Sequence, residues 1–449
     1  MNKRPNVVYV FGDQHRAEAT GYAGNPDVHT PNLDRLKEES VIFSTAVSTI
    51  PVCSPHRASF LTGCYPLTHG VFVNDVHLNH EAVSIADAYQ QAGYDTAYIG
   101  KWHVNGRGRS RFIPREDRQG FDYWQSLECT HEYHHSSYYQ NDPNRKIWAG
   151  YDAEAQTHSA QEYLRSRRHT DRPFFLVLSW GPPHNPYHDA PQSFQALYRD
   201  RALHLRPNVP EAMRDQARTD LQGYYAHITA LDSYLGDLWE TLQTENLEDE
   251  TILVYTSDHG DMLYSQGEVR KQRPWDESIL VPFLLHYPQR FDHNPREITV
   301  PFASPDIMPT LLGLSGIAIP STVEGTNFAP YLFEEHDELP VKGALIECIH
   351  PFGEYTRAVG GREYRGLRTK RYTYVKDLRG PWLLYDNVQD PYQLHNLCNQ
   401  PETKDLQARL EALLVQELRR RNDEFLPGEA YLKQWGYSVD ETGTVPYTL

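Results

Sequence analysis

Short apolar runs alternate with longer segments of helical periodicity over the first three quarters of this chain. Residues 7–11, 96–99, 174–179, 252–256 and 282–286 are apolar at nearly every position, which predicts strands covered on both faces. Segments 30–39, 85–92 and 221–242 between them read as helices. In the last, Ile228, Leu231, Leu235 and Leu238 fall on one face at three- and four-residue spacing. This alternation predicts an α/β fold, a large mostly parallel (mixed) sheet sandwiched by helices. Ligand sites in such folds gather at the carboxyl ends of strands. Asp13, Lys101, His184 and Asp258 each stand at or just beyond a predicted strand end.

The pattern changes near residues 333–338, which are acidic. Beyond them, short strand-like stretches at 343–348, 364–367, 372–375 and 383–385 precede a helix over 404–421. We therefore expect a catalytic domain over 1–335 and a smaller C-terminal α+β subdomain, carrying an antiparallel sheet, over 336–449. Residues 118–165, rich in Tyr, His and Trp, read as a long insertion and as a loop facing the substrate.

At 449 residues, the chain can bury one large core and a smaller one. Its net charge of −17 argues against nucleic acid as partner, since a phosphate backbone would be repelled. Five cysteines at wide, irregular gaps do not form a disulfide framework. The apolar run near the N-terminus is too short for a signal-peptide core, and no stretch reaches membrane-spanning length. The expectation is a cytoplasmic protein, or a periplasmic or secreted one if a leader has been removed, with no membrane partner.

The most informative segment is Cys53-Ser54-Pro55-His56-Arg57-Ala58-Ser59-Phe60-Leu61-Thr62-Gly63. Pro55 suits the first turn of a helix, which places Cys53 at a helix N-terminus, where amide donors favour an anion. Taken alone, the pattern also fits a structural cysteine beside a helix-starting proline. The whole run, however, resembles the signature of the sulfatases of the alkaline phosphatase superfamily, in which this cysteine is oxidised to formylglycine. The resemblance implies an alkaline-phosphatase-like fold and a formylglycine-generating maturation enzyme as partner. It also implies a hydrated aldehyde whose one hydroxyl attacks sulfur while the other later expels sulfate. Arg57 would hold that group and help neutralise substrate.

Further family motifs follow in order. The strand ending in Asp13-Gln14 resembles the first metal motif, with Gln14 where the family usually has a second aspartate. Ser257-Asp258-His259-Gly260-Asp261 resembles the second. The resemblance makes Asp13, Gln14, Asp258 and His259 ligands of a divalent cation, Ca²⁺ first, with Mg²⁺ or Mn²⁺ as options. We expect Asp261 to cap a helix instead. Gly100-Lys101-Trp102-His103 implies Lys101 as a brace for the nucleophile and His103 as the base. In a strand continuation those two side chains point the same way. Pro183-His184-Asn185-Pro186 implies His184 as the acid, Lys271 matches a sulfate-binding lysine, and Asn74 is a further candidate for a sulfate oxygen. The implied activity is sulfate ester hydrolysis on a sulfated small molecule or glycan. The Asp13-Gln14 departure keeps a phosphonate monoester or phosphodiester hydrolase as the alternative, and a binding protein without activity as a third.

Overall fold

The computed structural model describes residues 4–78, 81, 83–334 and 341–448. Its main sheet contains eight strands: β1 (Asn6–Asp13), β2 (Val41–Phe43), β3 (Asp95–Lys101), β4 (Tyr123–Leu127), β5 (Phe174–Pro183), β6 (Thr251–Ser257), β7 (Phe283–His286) and β8 (Arg296–Ile298). Their order across the sheet is β8-β2-β7-β6-β1-β5-β3-β4. β7 alone runs against the others, as its antiparallel pairing with both β6 and β2 shows. The sheet is therefore mixed and mostly parallel, as the apolar runs imply.

Central strand β1 has all eight residues buried. Its β-branched and aromatic side chains suit a surface packed on both sides. On one face, Val7, Tyr9 and Phe11 meet α2 (Cys53–Thr62) and α3 (Ile85–Gln91). On the other, Val8 and Val10 meet α1 (Pro31–Lys37), α4 (Asp152–Arg167) and α5 (Arg214–Thr244). Leu231, Leu235 and Leu238 of α5 are all fully buried, each worth about 1.5–3 kcal/mol relative to exposure. The periodic leucine face is thus the one that covers the sheet.

The segment 118–165 differs from expectation. It carries edge strand β4, a short ribbon pairing Ser137–Tyr138 with Lys146–Ile147, and most of α4. Only its central turns are free to face a ligand. The aromatic content that reads as a loop belongs largely to packing, with Trp124, Trp148, Tyr151 and Tyr163 all buried.

Beyond residue 341, strands β9 (Ala344–Cys348), β10 (Tyr364–Arg368), β11 (Tyr372–Asp377) and β12 (Gly380–Asp386) form an antiparallel sheet. Helix α6 (Lys404–Arg420) packs on it through Leu410, Leu414 and Leu418. The expected division at 335/336 lies outside the described residues. The antiparallel sheet shares a core with Val47, Ile279 and Ala303 of the first part. After α7 (Gly428–Trp435), the chain runs back over residues of the first part. There the Tyr437 hydroxyl donates to Gly70 O at 2.9 Å, the Arg109 amide donates to Thr448 O at 2.8 Å, and the Arg109 guanidinium lies 3.6 Å from the Tyr447 ring centroid.

Candidate active site

The site is assembled at the carboxyl ends of β1, β3, β5 and β6, facing the N-terminus of α2. Asp13 closes β1, Lys101 closes β3, His184 follows β5 and Asp258 follows β6. Close approach of β3 and β5 depends on Gly100, whose φ is +105°; a Cβ there would lie 2.0 Å from Ser179 O. That approach lets the Ser179 hydroxyl donate to Lys101 O at 2.8 Å. Helix α2 starts at Cys53 and ends at Gly63 in a left-handed conformation, and every residue in it is buried. The Ser54 amide at its N-terminus donates to Asn74 Oδ1 at 3.1 Å. Asn74 is therefore brought to the site, with its carbonyl oxygen engaged on the helix.

Three charged or ionisable groups converge on the Cys53 sulfur. His259 Nε2 and Lys271 Nζ each lie 3.3 Å away, and Asp13 Oδ1 lies 3.5 Å away. Asp13 Oδ2 accepts from Lys101 Nζ at 2.6 Å and Arg57 Nη2 at 3.1 Å. Arg57 is the buried hub: Nη1 also donates to Lys101 O and Ser179 Oγ, both at 2.7 Å, and Nη2 lies 3.2 Å from Asp258 Oδ2. Asp258 Oδ1 accepts the amides of Gln14 at 3.0 Å and His259 at 2.9 Å, while Oδ2 is buried with no hydrogen bond.

The electrostatics follow from these contacts. Burial raises the Asp13 carboxyl, but the permanent charges of Lys101 and Arg57 outweigh it and hold the acid well below its ordinary range. Burial and the neighbouring Asp13 charge push Asp258 up to about 6. Burial and Asp13 likewise raise the Cys53 thiol, yet Lys101, Lys271 and His259 pull it well below its usual value. Three permanent cations, Arg57, Lys101 and Lys271, thus face two carboxylates in a water-poor pocket within a chain of net charge −17.

Ligand atoms of Asp13, Cys53, Asp258 and His259 lie within 4.8 Å of one another. His259 Nδ1 donates to Gly260 O at 2.9 Å, which leaves the Nε2 lone pair turned into the group, as metal-binding imidazoles are held. Asp258 Oδ2, buried and paired only in charge with Arg57 at 3.2 Å, accepts no hydrogen bond and is a further oxygen for a cation. The donor set therefore fits a hard divalent cation. Gln14 joins it differently from expectation. With φ at +75°, its Oε1 accepts from Lys271 Nζ at 3.2 Å, and its Nε2 donates to Asp261 Oδ2 at 2.6 Å. Asp261 accepts from the Tyr187 hydroxyl too and caps no helix, which corrects the role expected for it.

His184 and Lys271 are direct neighbours, Nε2 to Nζ at 2.7 Å. His184 Nδ1 donates to Asn185 O at 2.8 Å, so Nε2 carries the lone pair that accepts from Lys271; burial and then the Lys271 charge hold the imidazole neutral, well below its usual pKa. His131 stacks on it, with ring centroids 4.4 Å apart and planes 4° apart. His131 is thus part of the site wall, whereas His134 bonds to Asp189 O and His135 is exposed. His56 and His69 are buried packing residues bonded to serines.

His103 is placed differently from Lys101. Its φ of +60° breaks the strand, so the two side chains do not share one direction as a continued strand would require. Nε2 lies 3.5 Å from Asp75 Oδ1, and Asp75 is gripped by Arg109 at 2.9 and 2.8 Å. No hydrogen bond joins His103 to Cys53 among the described residues. The loop bearing Lys271 is held by the C-terminal part: Gln272 Nε2 donates to Phe352 O at 2.9 Å and Arg273 Nη2 to Glu354 O at 3.0 Å. Ser179, Asp75, Arg109 and Tyr187 all support the site and were not singled out from sequence. Only Ser179 carried a signal, as the last residue of a predicted strand.

Comparison with known proteins shows the family. A sulfatase family model matches residues 5–317, and a model described as N-sulphoglucosamine sulphohydrolase, C-terminal, matches residues 267–420. The chain is 44% identical to an ulvan-active sulfatase of Formosa agariphila, over 99% of this chain and 87% of the relative. It is 34% identical to an endo-4-O-sulfatase of Bacteroides thetaiotaomicron, over 88% of each. A solved structure described with glycosaminoglycan metabolism by that organism superposes with a TM-score of 0.86 at 31% identity, covering 96% of this chain and 99% of the other. Among the described residues, no helix is long and apolar enough to cross a membrane. The chain belongs to the sulfatase family of the alkaline phosphatase superfamily, and it is a sulfuric ester hydrolase.

Proposed function

We propose that this enzyme removes sulfate from a sulfated carbohydrate, with Cys53 as the residue converted to formylglycine. The convergence of His259, Lys271 and Asp13 on the Cys53 sulfur carries this reading. The sugar class follows from the ulvan-active and endo-4-O-sulfatase relatives. Hydrated formylglycine would supply one hydroxyl to attack sulfur and a second to expel sulfate. A divalent cation held by Asp13, Gln14, Asp258 and His259 would polarise a sulfate oxygen and favour ionisation of the attacking hydroxyl.

The remaining residues bind, neutralise and move protons. Lys271, beside the sulfur, and Lys101, beside Asp13, hold the anionic ester, while Arg57, behind the carboxylates, fixes Asp13 and Asp258. Asn74 sets the α2 N-terminus and offers its amide NH₂ to a sulfate oxygen. His184 protonates the leaving oxygen at Nε2. An incoming sulfate offsets the Lys271 charge that keeps this ring neutral, so substrate binding itself favours the protonated form. His103 takes the proton in the second step, with Asp75 orienting the ring and stabilising the imidazolium. Residues 1–335 form the catalytic part, and 336–449 brace the Lys271 loop.

Cys53 is 1% exposed, so a maturation enzyme reaches it before the chain folds. The test is mass analysis of the tryptic peptide containing Cys53 after co-expression with a formylglycine-generating enzyme, paired with sulfate release from sulfated oligosaccharides. We expect the aldehyde mass and release that Cys53→Ala abolishes. An unmodified thiol in fully active enzyme overturns the nucleophile, and activity confined to phosphonate esters overturns the substrate class.

A further inference from the structure

A polar cleft of about 530 Å³ adjoins the site, lined by Asn185, Tyr187, His188, Arg199, Asp220 and Arg270 among others. Asn185 and Arg270 are the chain neighbours of His184 and Lys271, so the cleft wall begins one residue from the proposed acid and from a proposed sulfate lysine. A volume of this size accommodates a small ligand.

Its chemistry is directional. Two arginines face one carboxylate on these walls, in a chain whose overall charge is −17. Asp220 is already satisfied: Oδ2 accepts from the Tyr264 hydroxyl at 2.6 Å and Oδ1 from Gln216 Nε2 at 3.1 Å. The Arg270 guanidinium lies 5.0 Å from the Tyr187 ring centroid and 3.6 Å from Glu354, which fixes it against the wall. The Arg199 side chain has no hydrogen bond or ion pair among the described residues. Asn185 also lines the cleft, with its Oδ1 turned away from solvent and buried. An exposed guanidinium without a protein partner, on the wall of a cleft that also holds Arg270, matches a ligand that carries an anionic group. The planar fork of arginine suits a carboxylate or sulfate.

We propose that this cleft binds the sugar next to the sulfated one, with Arg199 pairing to an anionic group on that neighbour. The inference rests on the carbohydrate sulfate reading above. The anionic group is a carboxylate or a second sulfate, and the test separates them.

The matured, cation-loaded enzyme is assayed on three sulfated disaccharides of identical linkage. In one the neighbouring sugar carries a carboxylate, in the second that carboxyl is reduced to an alcohol, and in the third a sulfate ester replaces it. We expect at least one anionic neighbour to raise kcat/KM over the neutral one by about tenfold, and Arg199→Met to bring the ratio to about one. Which anionic form gains identifies the source. Circular dichroism and calorimetric binding in a Cys53→Ala background confirm that Arg199→Met is folded and that the change lies in binding. Equal hydrolysis of all three substrates by the wild type, or an undiminished preference in Arg199→Met, overturns the subsite and leaves the carbohydrate reading standing. Sulfate release from none of the three overturns both.

Discussion

Replacing Arg57 with methionine is the sharpest test of how the site is held together. The guanidinium donates to Asp13 Oδ2, Lys101 O and Ser179 Oγ and sits 3.2 Å from Asp258 Oδ2, at 1% exposure. Methionine keeps most of the volume, so little of the effect comes from a cavity. Removing one partner of a buried ion pair costs about 3–5 kcal/mol, because the other charge stays behind unpaired. Asp13 retains Lys101 at 2.6 Å, but Asp258 loses its only nearby guanidinium. We therefore expect a loss of about 4 kcal/mol in the chelator-treated protein, read from urea unfolding followed by tryptophan fluorescence. A divalent cation at Asp13 and Asp258 takes over part of the missing charge. Saturating Ca²⁺ should consequently stabilise Arg57→Met more than it stabilises the wild type. A loss below about 1 kcal/mol, or equal stabilisation of both proteins by the cation, would refute the assignment of Arg57 as counter-charge to the two carboxylates.

Other expectations concern single groups. His184→Ala should slow sulfate esters with poor leaving groups by about 10²–10⁴ while affecting activated aryl sulfates far less, and equal losses on both would remove His184 as the acid. Tyr187→Phe deletes the hydroxyl that, with the Gln14 amide, holds Asp261. Calorimetric titration should show cation affinity weakened by about 10- to 100-fold, whereas an unchanged Kd would show that this pair does not orient Gln14. Burial pushes the Asp152 carboxyl up to about 8, and its Oδ1 has no hydrogen bond. Its folded pKa lies above its unfolded one, so this favourable contribution is complete below about pH 4 and is lost as pH rises through about 8. Asp152→Asn should therefore gain stability relative to wild type over that interval, by on the order of a few kcal/mol at pH 8. A difference that does not vary with pH would refute the raised pKa.

The strands that build the site were legible because strands buried on both faces leave uninterrupted apolar runs, and polar residues at their ends then stand out. Asp13, Lys101, His184 and Asp258 were placed in this way, and the helix at Cys53 by its proline. What was not legible depends on contacts between distant residues or on backbone conformation. Asp261 reads locally as a capping residue, yet its partners are Gln14 and Tyr187, 247 and 74 positions away. The left-handed φ of His103 reversed the expectation that it would point with Lys101, and no periodicity announces such a turn. Residues 118–165 misled because exposed aromatic loops and buried edge elements share a composition. Tyr151 and Trp148 are rich in ring area but lie under α5 and the sheet edge.

The returning strand of chain at residues 447–448 bears on the proposed base. Arg109, which grips Asp75 beside His103, is itself pinned by Tyr447 and by the Thr448 carbonyl. Loss of the Tyr447 ring would free the Arg109 guanidinium, and with it the grip on Asp75, which orients the proposed base. Rates measured on variants altered at residues 447–448 would then change through the support of His103 and not through any contact with substrate.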